Sequence, residues 1–66
     1  MIQLFIKYGI NNTPQTYTAS IDIVPKENAH KTTEEILSEL TFLHNGIHDM
    51  YLLKEDFVIH VLTRLN

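Results

Sequence analysis

Three patterns predict an α+β domain of order ββαββ. Two alternating runs near the N-terminus flank a turn-rich stretch, an amphipathic run occupies the middle, and a last alternating run closes the chain. At 66 residues the chain has room for one hydrophobic core, so residues 1–66 are expected to form a single domain.

In the first run Ile2, Leu4, Ile6 and Tyr8 fall on one side and Gln3, Phe5 and Lys7 on the other, the period-two signature of a strand. Gly9 to Gln15 carries glycine, two asparagines and a proline, which is turn chemistry. Alternation returns from Thr16 to Val24, with Tyr17, Ala19, Ile21 and Ile23 opposite Thr18, Ser20 and Asp22. An antiparallel hairpin is the simplest arrangement. Pro25 should end the second strand because it has no N–H for the ladder, and Lys26 to Lys31 forms a polar connection.

Thr32-Thr33-Glu34-Glu35 has the spacing of a capping box, with acids suited to the positive end of a helix dipole. Ile36, Leu40 and Leu43, widened by Leu37, form an apolar stripe that can lie on a sheet. Asn45-Gly46 should stop the helix, since both residues tolerate the left-handed cap conformation. Phe42 lies off the stripe, at its rim or in solvent. A short strand is expected over Met50 to Leu53, then a turn at Lys54-Glu55-Asp56 and a final strand from Phe57 to Leu65. In that strand Phe57, Ile59, Val61, Thr63 and Leu65 alternate with Val58, His60, Leu62 and Arg64.

Composition narrows the function classes. Without cysteine there is no disulfide and no thiolate metal cluster. A formal charge of −3 offers no basic surface for a phosphate backbone, so nucleic acid is not an expected partner. No apolar run approaches the ~20 residues that cross a bilayer, so no membrane association is expected. The N-terminal Met1-Ile2-Gln3-Leu4-Phe5-Ile6 lacks the basic region of a signal peptide, which makes the cytoplasm the default location.

Gln3-Leu4-Phe5-Ile6-Lys7 resembles the opening strand of ubiquitin-like proteins, in the order hydrophobic, Phe, hydrophobic, Lys. Val24 and Pro25, followed by a Thr-capped helix with Ile36 and Leu40 four apart, are similar to that family's second strand and helix. Tyr51 through Leu65 aligns without gaps on its closing segment, keeping a tyrosine, the Lys54-Glu55 turn, His60 and the Arg64-Leu65 ending. The resemblance implies a β-grasp fold: a four-stranded mixed sheet with the first and last strands parallel in its centre and one helix on one face. It departs from the family in two respects. The sequence ends Arg64-Leu65-Asn66 without the diglycine by which modifiers and sulfur carriers are activated, so that chemistry is expected only if the native chain continues into Gly-Gly. The stretch between helix and last strand is also shorter than in ubiquitin, which should pare down one edge.

With Leu4, Ile6, Ile21, Ile23, Ile59 and Val61 toward the helix, the other sheet face would present Phe5, Lys7, Val58, His60, Leu62 and Arg64. The resemblance makes that face a recognition surface, and its apolar side chains independently form a candidate contact patch; the plainer interpretation is that strands accept Val, Phe and Leu on either face. His44 and His48 stand four apart, the spacing that aligns two metal ligands on a helix, but the Asn45-Gly46 stop between them and the lack of further ligands leave no metal site expected. Of the four histidines His60, near Arg64 and Lys7, is a further pH-sensitive candidate, with a half-exposed strand residue as the plainer alternative. The paired acids Glu34-Glu35 and Glu55-Asp56 read as solvated charges, and two glycines make no phosphate loop. No catalytic residue and no cofactor is expected. The sequence therefore favours a non-catalytic module that binds a protein partner through its sheet face. A small regulatory or inhibitory protein, phage or mobile-element encoded, that blocks a host protein is the alternative, and homodimerisation through an edge strand or the apolar face is also open.

Overall fold

The computed structural model describes residues 1–66. Strands β1 (Ile2–Ile10) and β2 (Thr16–Ile23) form the expected hairpin, with Leu4 opposite Ile21 and Ile6 opposite Ala19. Helix α1 (Ala29–His48) follows, then a single 3₁₀ turn at Lys54–Asp56 and strand β3 (Phe57–Arg64). The α+β class with one helix on a sheet is as expected, but the sheet has three strands in the order β2-β1-β3, all antiparallel.

Two expectations are corrected here, and they share a cause. Met50 to Leu53 is not a strand. The side-chain amide of Asn45 donates to Leu52 O at 3.0 Å and its carbonyl accepts from Leu52 N–H at 3.1 Å, so Leu52's backbone groups are satisfied by the helix rather than by a ladder. Losing that strand removes one reversal of the chain. A 20-residue helix is about 30 Å long, close to the length of β1, and returns the chain to the end of the sheet where β1 finishes. There Phe57 pairs with Ile10, and β3 can only run back against β1. The parallel pairing implied by the ubiquitin-like resemblance is thus replaced by an antiparallel one.

The helix ends also differ. Asn28 is the N-cap, its Oδ1 accepting from Lys31 N–H at 2.9 Å, so the helix begins before Thr32. Thr32 instead clasps the incoming chain: its hydroxyl accepts from Lys26 N–H at 3.0 Å and donates to Asn28 O at 3.1 Å. At the other end the helix runs through Asn45 and Gly46. Its left-handed cap is Asp49 (φ 54°), and Met50 N–H donates to Asn45 O at 3.1 Å. Asn45 stays helical because its side chain is already occupied by Leu52.

The core lies between α1 and the sheet. β1 supplies Leu4, Ile6, Tyr8 and Ile10, β2 supplies Ile21 and Ile23, the helix Ile36 and Leu40, and β3 only Phe57. Leu37 and Leu43 pack at its margin, and Phe42 is in solvent at 81% exposure. The helix rests principally on β2, leaving most of β3 uncovered.

Candidate protein-interaction surface

One irregularity decides which β3 side chains share the open face. Tyr8 pairs with Ile59 but Lys7 pairs with Val61, so His60 is an extra residue in β3, a β-bulge. Since directly opposed residues lie on the same face of a sheet, the bulge inverts the alternation beyond it. Val61, expected under the helix, joins Lys7 on the open face, and Thr63 joins Phe5. Leu62 and Arg64, expected on the open face, pair with the core residues Ile6 and Leu4 and so lie on the helix side. Leu62 is nevertheless 47% exposed, because the helix sits toward β2 and nothing covers this end of β3.

Phe5, Lys7 and Val58 are on the open face as expected. His60 joins them across Gly9: a Cβ built on Gly9 would come within 2.8 Å of His60 Nε2. Gly9 therefore belongs to β1 rather than to the turn, and its missing side chain makes room for the imidazole. The turn is closed by Thr13, whose N–H and hydroxyl donate to Ile10 O, with Asn12 at φ 67°, while the N–H and side-chain amide of Asn11 tie it to Asp56 O and Glu55 O ahead of β3.

The resulting surface has two halves. β1 and β3 contribute Phe5, Val58 and Val61, each between 37% and 49% exposed, with the cation of Lys7 and the ring of His60 among them. β2 contributes the small polar Thr16, Thr18 and Ser20, with Asp22 at one end. Lys7 forms no ion pair within the chain, and Arg64 Nε donates to Asn66 O at 2.6 Å. No element covers this face, and the fold encloses no pocket.

Three of the four acids singled out in the sequence, Glu34, Glu35 and Asp56, have partners within the chain. Glu34 accepts from Lys54 Nζ at 3.0 Å, and that hydrogen bond, with the lysine's charge, keeps its carboxyl below the ordinary value. Glu35 lies 3.9 Å from Lys26 Nζ, and Asp56 Oδ2 accepts from Leu53 N–H at 2.9 Å. No group of three or more His, Asp or Glu side chains converges as a metal site would require. His44 and His48 do share one helix, with ring centroids 4.3 Å apart, contrary to the expected break between them. His44 is wholly buried, which the sequence reading did not foresee; its place four residues beyond Leu40 on the Ile36–Leu40 stripe was the available signal, masked by the Asn-Gly pair. Val61 was missed for another reason, since no residue pattern announces the bulge.

No protein family, curated protein or solved structure matches this chain. No helix is long and apolar enough to cross a membrane.

Proposed function

We propose that the chain is a non-catalytic interaction module that docks a protein partner on the open face of its sheet, around Phe5, Lys7, Val58, His60 and Val61. The carrying observation is that the sheet is a single layer whose uncovered side displays three large apolar side chains at neighbouring positions of two paired strands. An apolar centre with a mixed polar rim is how protein-binding patches are composed. The likeness to ubiquitin-like proteins remains in the residue order of β1, but the antiparallel β1–β3 pairing departs from it. The proposal therefore rests on the surface and not on kinship.

The test is capture from the native host's lysate on immobilised wild type, Val61→Asp and Phe42→Asp. Phe42 is the control, exposed and apolar but on the helix. A protein held by wild type and Phe42→Asp and lost from Val61→Asp supports the open face. Equal retention by all three overturns it.

One observation favours a second reading, a regulatory or inhibitory protein that lends its edge to a partner's sheet. β2 has no proline, lysine or bulge, and no hydrogen bond outside its ladder with β1 reaches its backbone. Such a smooth edge is a ready template for a further strand. Loss of capture with Ser20→Pro, and not with Val61→Asp, distinguishes this reading from the first.

A further inference from the structure

Toward the C-terminal end of α1 the core changes from aliphatic to aromatic and polar. His44 is the one polar side chain the fold buries completely. Its Nδ1 is hydrogen-bonded to the Tyr8 hydroxyl at 2.7 Å, while its buried Nε2 has no partner. Three rings from three strands surround it nearly edge-to-face: Tyr8 of β1, Tyr17 of β2 and Phe57 of β3, at centroid distances of 5.6, 4.9 and 5.4 Å. The fourth neighbour is the His48 ring, which also touches Tyr17. Neither histidine forms an ion pair, so no carboxylate balances a charge in this cluster.

This setting suits a neutral imidazole. With the Tyr8 hydroxyl donating to Nδ1, the ring proton sits on Nε2, which is buried without a hydrogen-bond partner. An imidazolium in the same place would lose its hydration and gain no counter-charge. Burial, and then repulsion from His48, hold His44 below the ordinary histidine value. Burial, and then Tyr17, raise the Tyr8 phenol, which stays a protonated donor.

We propose that His44, with His48 packed beside it, forms an acid-sensitive latch, closing the last turns of α1 onto the Tyr8–Tyr17–Phe57 wall when the His44 ring is neutral and releasing them when it is protonated. The latch reaches further than the helix. Asn45 holds both backbone groups of Leu52 and takes Met50 N–H on its carbonyl, so movement of the turn that carries His44 carries the 50–53 segment with it. The helix up to Leu40 is anchored by Ile36 and Leu40, which have nothing to titrate, and stays in place. Acid therefore opens one end of the fold rather than all of it.

The sign follows from the direction of the shift. Above the ordinary histidine value His44 is neutral whether docked or released, and the latch has its full stability. As pH falls below that value the released state takes up the proton first, so docking weakens until the lower docked-state value is also passed.

Residue-resolved hydrogen exchange on the full chain, from about pH 8 down to about pH 5, tests the latch. Corrected for intrinsic exchange, the opening constants of amides 41–48 should rise by up to about tenfold per pH unit below the ordinary histidine value. Leu4, Ile6 and Ile21 exchange only through global unfolding, which also frees His44, so their opening constants should rise in parallel but stay far smaller than those of 41–48. His48→Gln should reduce the rise by removing the repulsion, and His44→Phe should abolish it. If His44→Phe does not fold, the nitrogen NMR spectrum of the wild-type imidazoles decides instead: His44 must remain neutral well below the ordinary histidine range. A His44 ring that titrates normally, amides 41–48 that open no more readily than Leu4, Ile6 and Ile21, or an undiminished response in His44→Phe overturns the proposal.

Discussion

The two faces of the sheet are made by the same three strands and differ in what lies against them. On one face Leu4, Ile6, Ile21 and Ile23 meet the helix and are buried; on the other Phe5, Val58 and Val61, of similar size and apolarity, meet water. In β1 Phe5 stands exposed between the buried Leu4 and Ile6. Apolarity alone thus does not say which face is the core, and the helix decides it by covering one side.

The sharpest way to break this comparison is to truncate a matched residue on each face. Ile6→Ala removes a side chain with no exposed surface and should lower stability by about 2–5 kcal/mol in denaturant titration. In a 66-residue chain that is a large share of the total. A loss below about 1 kcal/mol would mean that the helix does not seal this face. Asn45→Ala should come next, at about 1–3 kcal/mol, by leaving Leu52's N–H and C=O without their partners. Asn28→Ala, which removes the helix cap, should cost about 1 kcal/mol. Val61→Asp should change stability by no more than about 0.5 kcal/mol while removing partner capture. If it unfolds the chain instead, the open face is part of the core and the comparison collapses. The smallest effect is expected of Gly9→Ala, whose added methyl is crowded by the movable end of His60 and otherwise meets the Gln15 carbonyl at an ordinary 3.6 Å. It should displace the His60 ring, read as a shift of its NMR signals, with stability nearly intact.

Much of the fold was legible in the sequence because it rests on local pattern. The hairpin follows from two alternating runs around an Asn-rich turn, and the amphipathic helix from Ile36, Leu40 and their neighbours. The helix ends were less legible, because a cap is a competition. Asn28 and Thr32 are both good N-caps, and Asn28 wins by bonding Lys31 N–H while Thr32 is taken by Lys26. Phe5, Lys7, Val58 and His60 were correctly placed on the open face because they lie before the bulge or at it. Leu62 and Arg64 were misplaced because they lie beyond it, where one extra residue inverts every later position.

The sequence by itself determined the α+β class, the hairpin, the helix's apolar stripe and the alternation of each strand, all set by the spacing of side chains along a short stretch of chain. Only the tertiary structure decided the number and direction of the strands, the bulge at His60 and the burial of His44. Each depends on a partner distant in sequence: Asn45 meeting Leu52 across the end of the helix, His60 lying over Gly9, and Tyr8 reaching His44 from the central strand. Local periodicity carries no information about such meetings, because they exist only once the helix has been laid across the sheet.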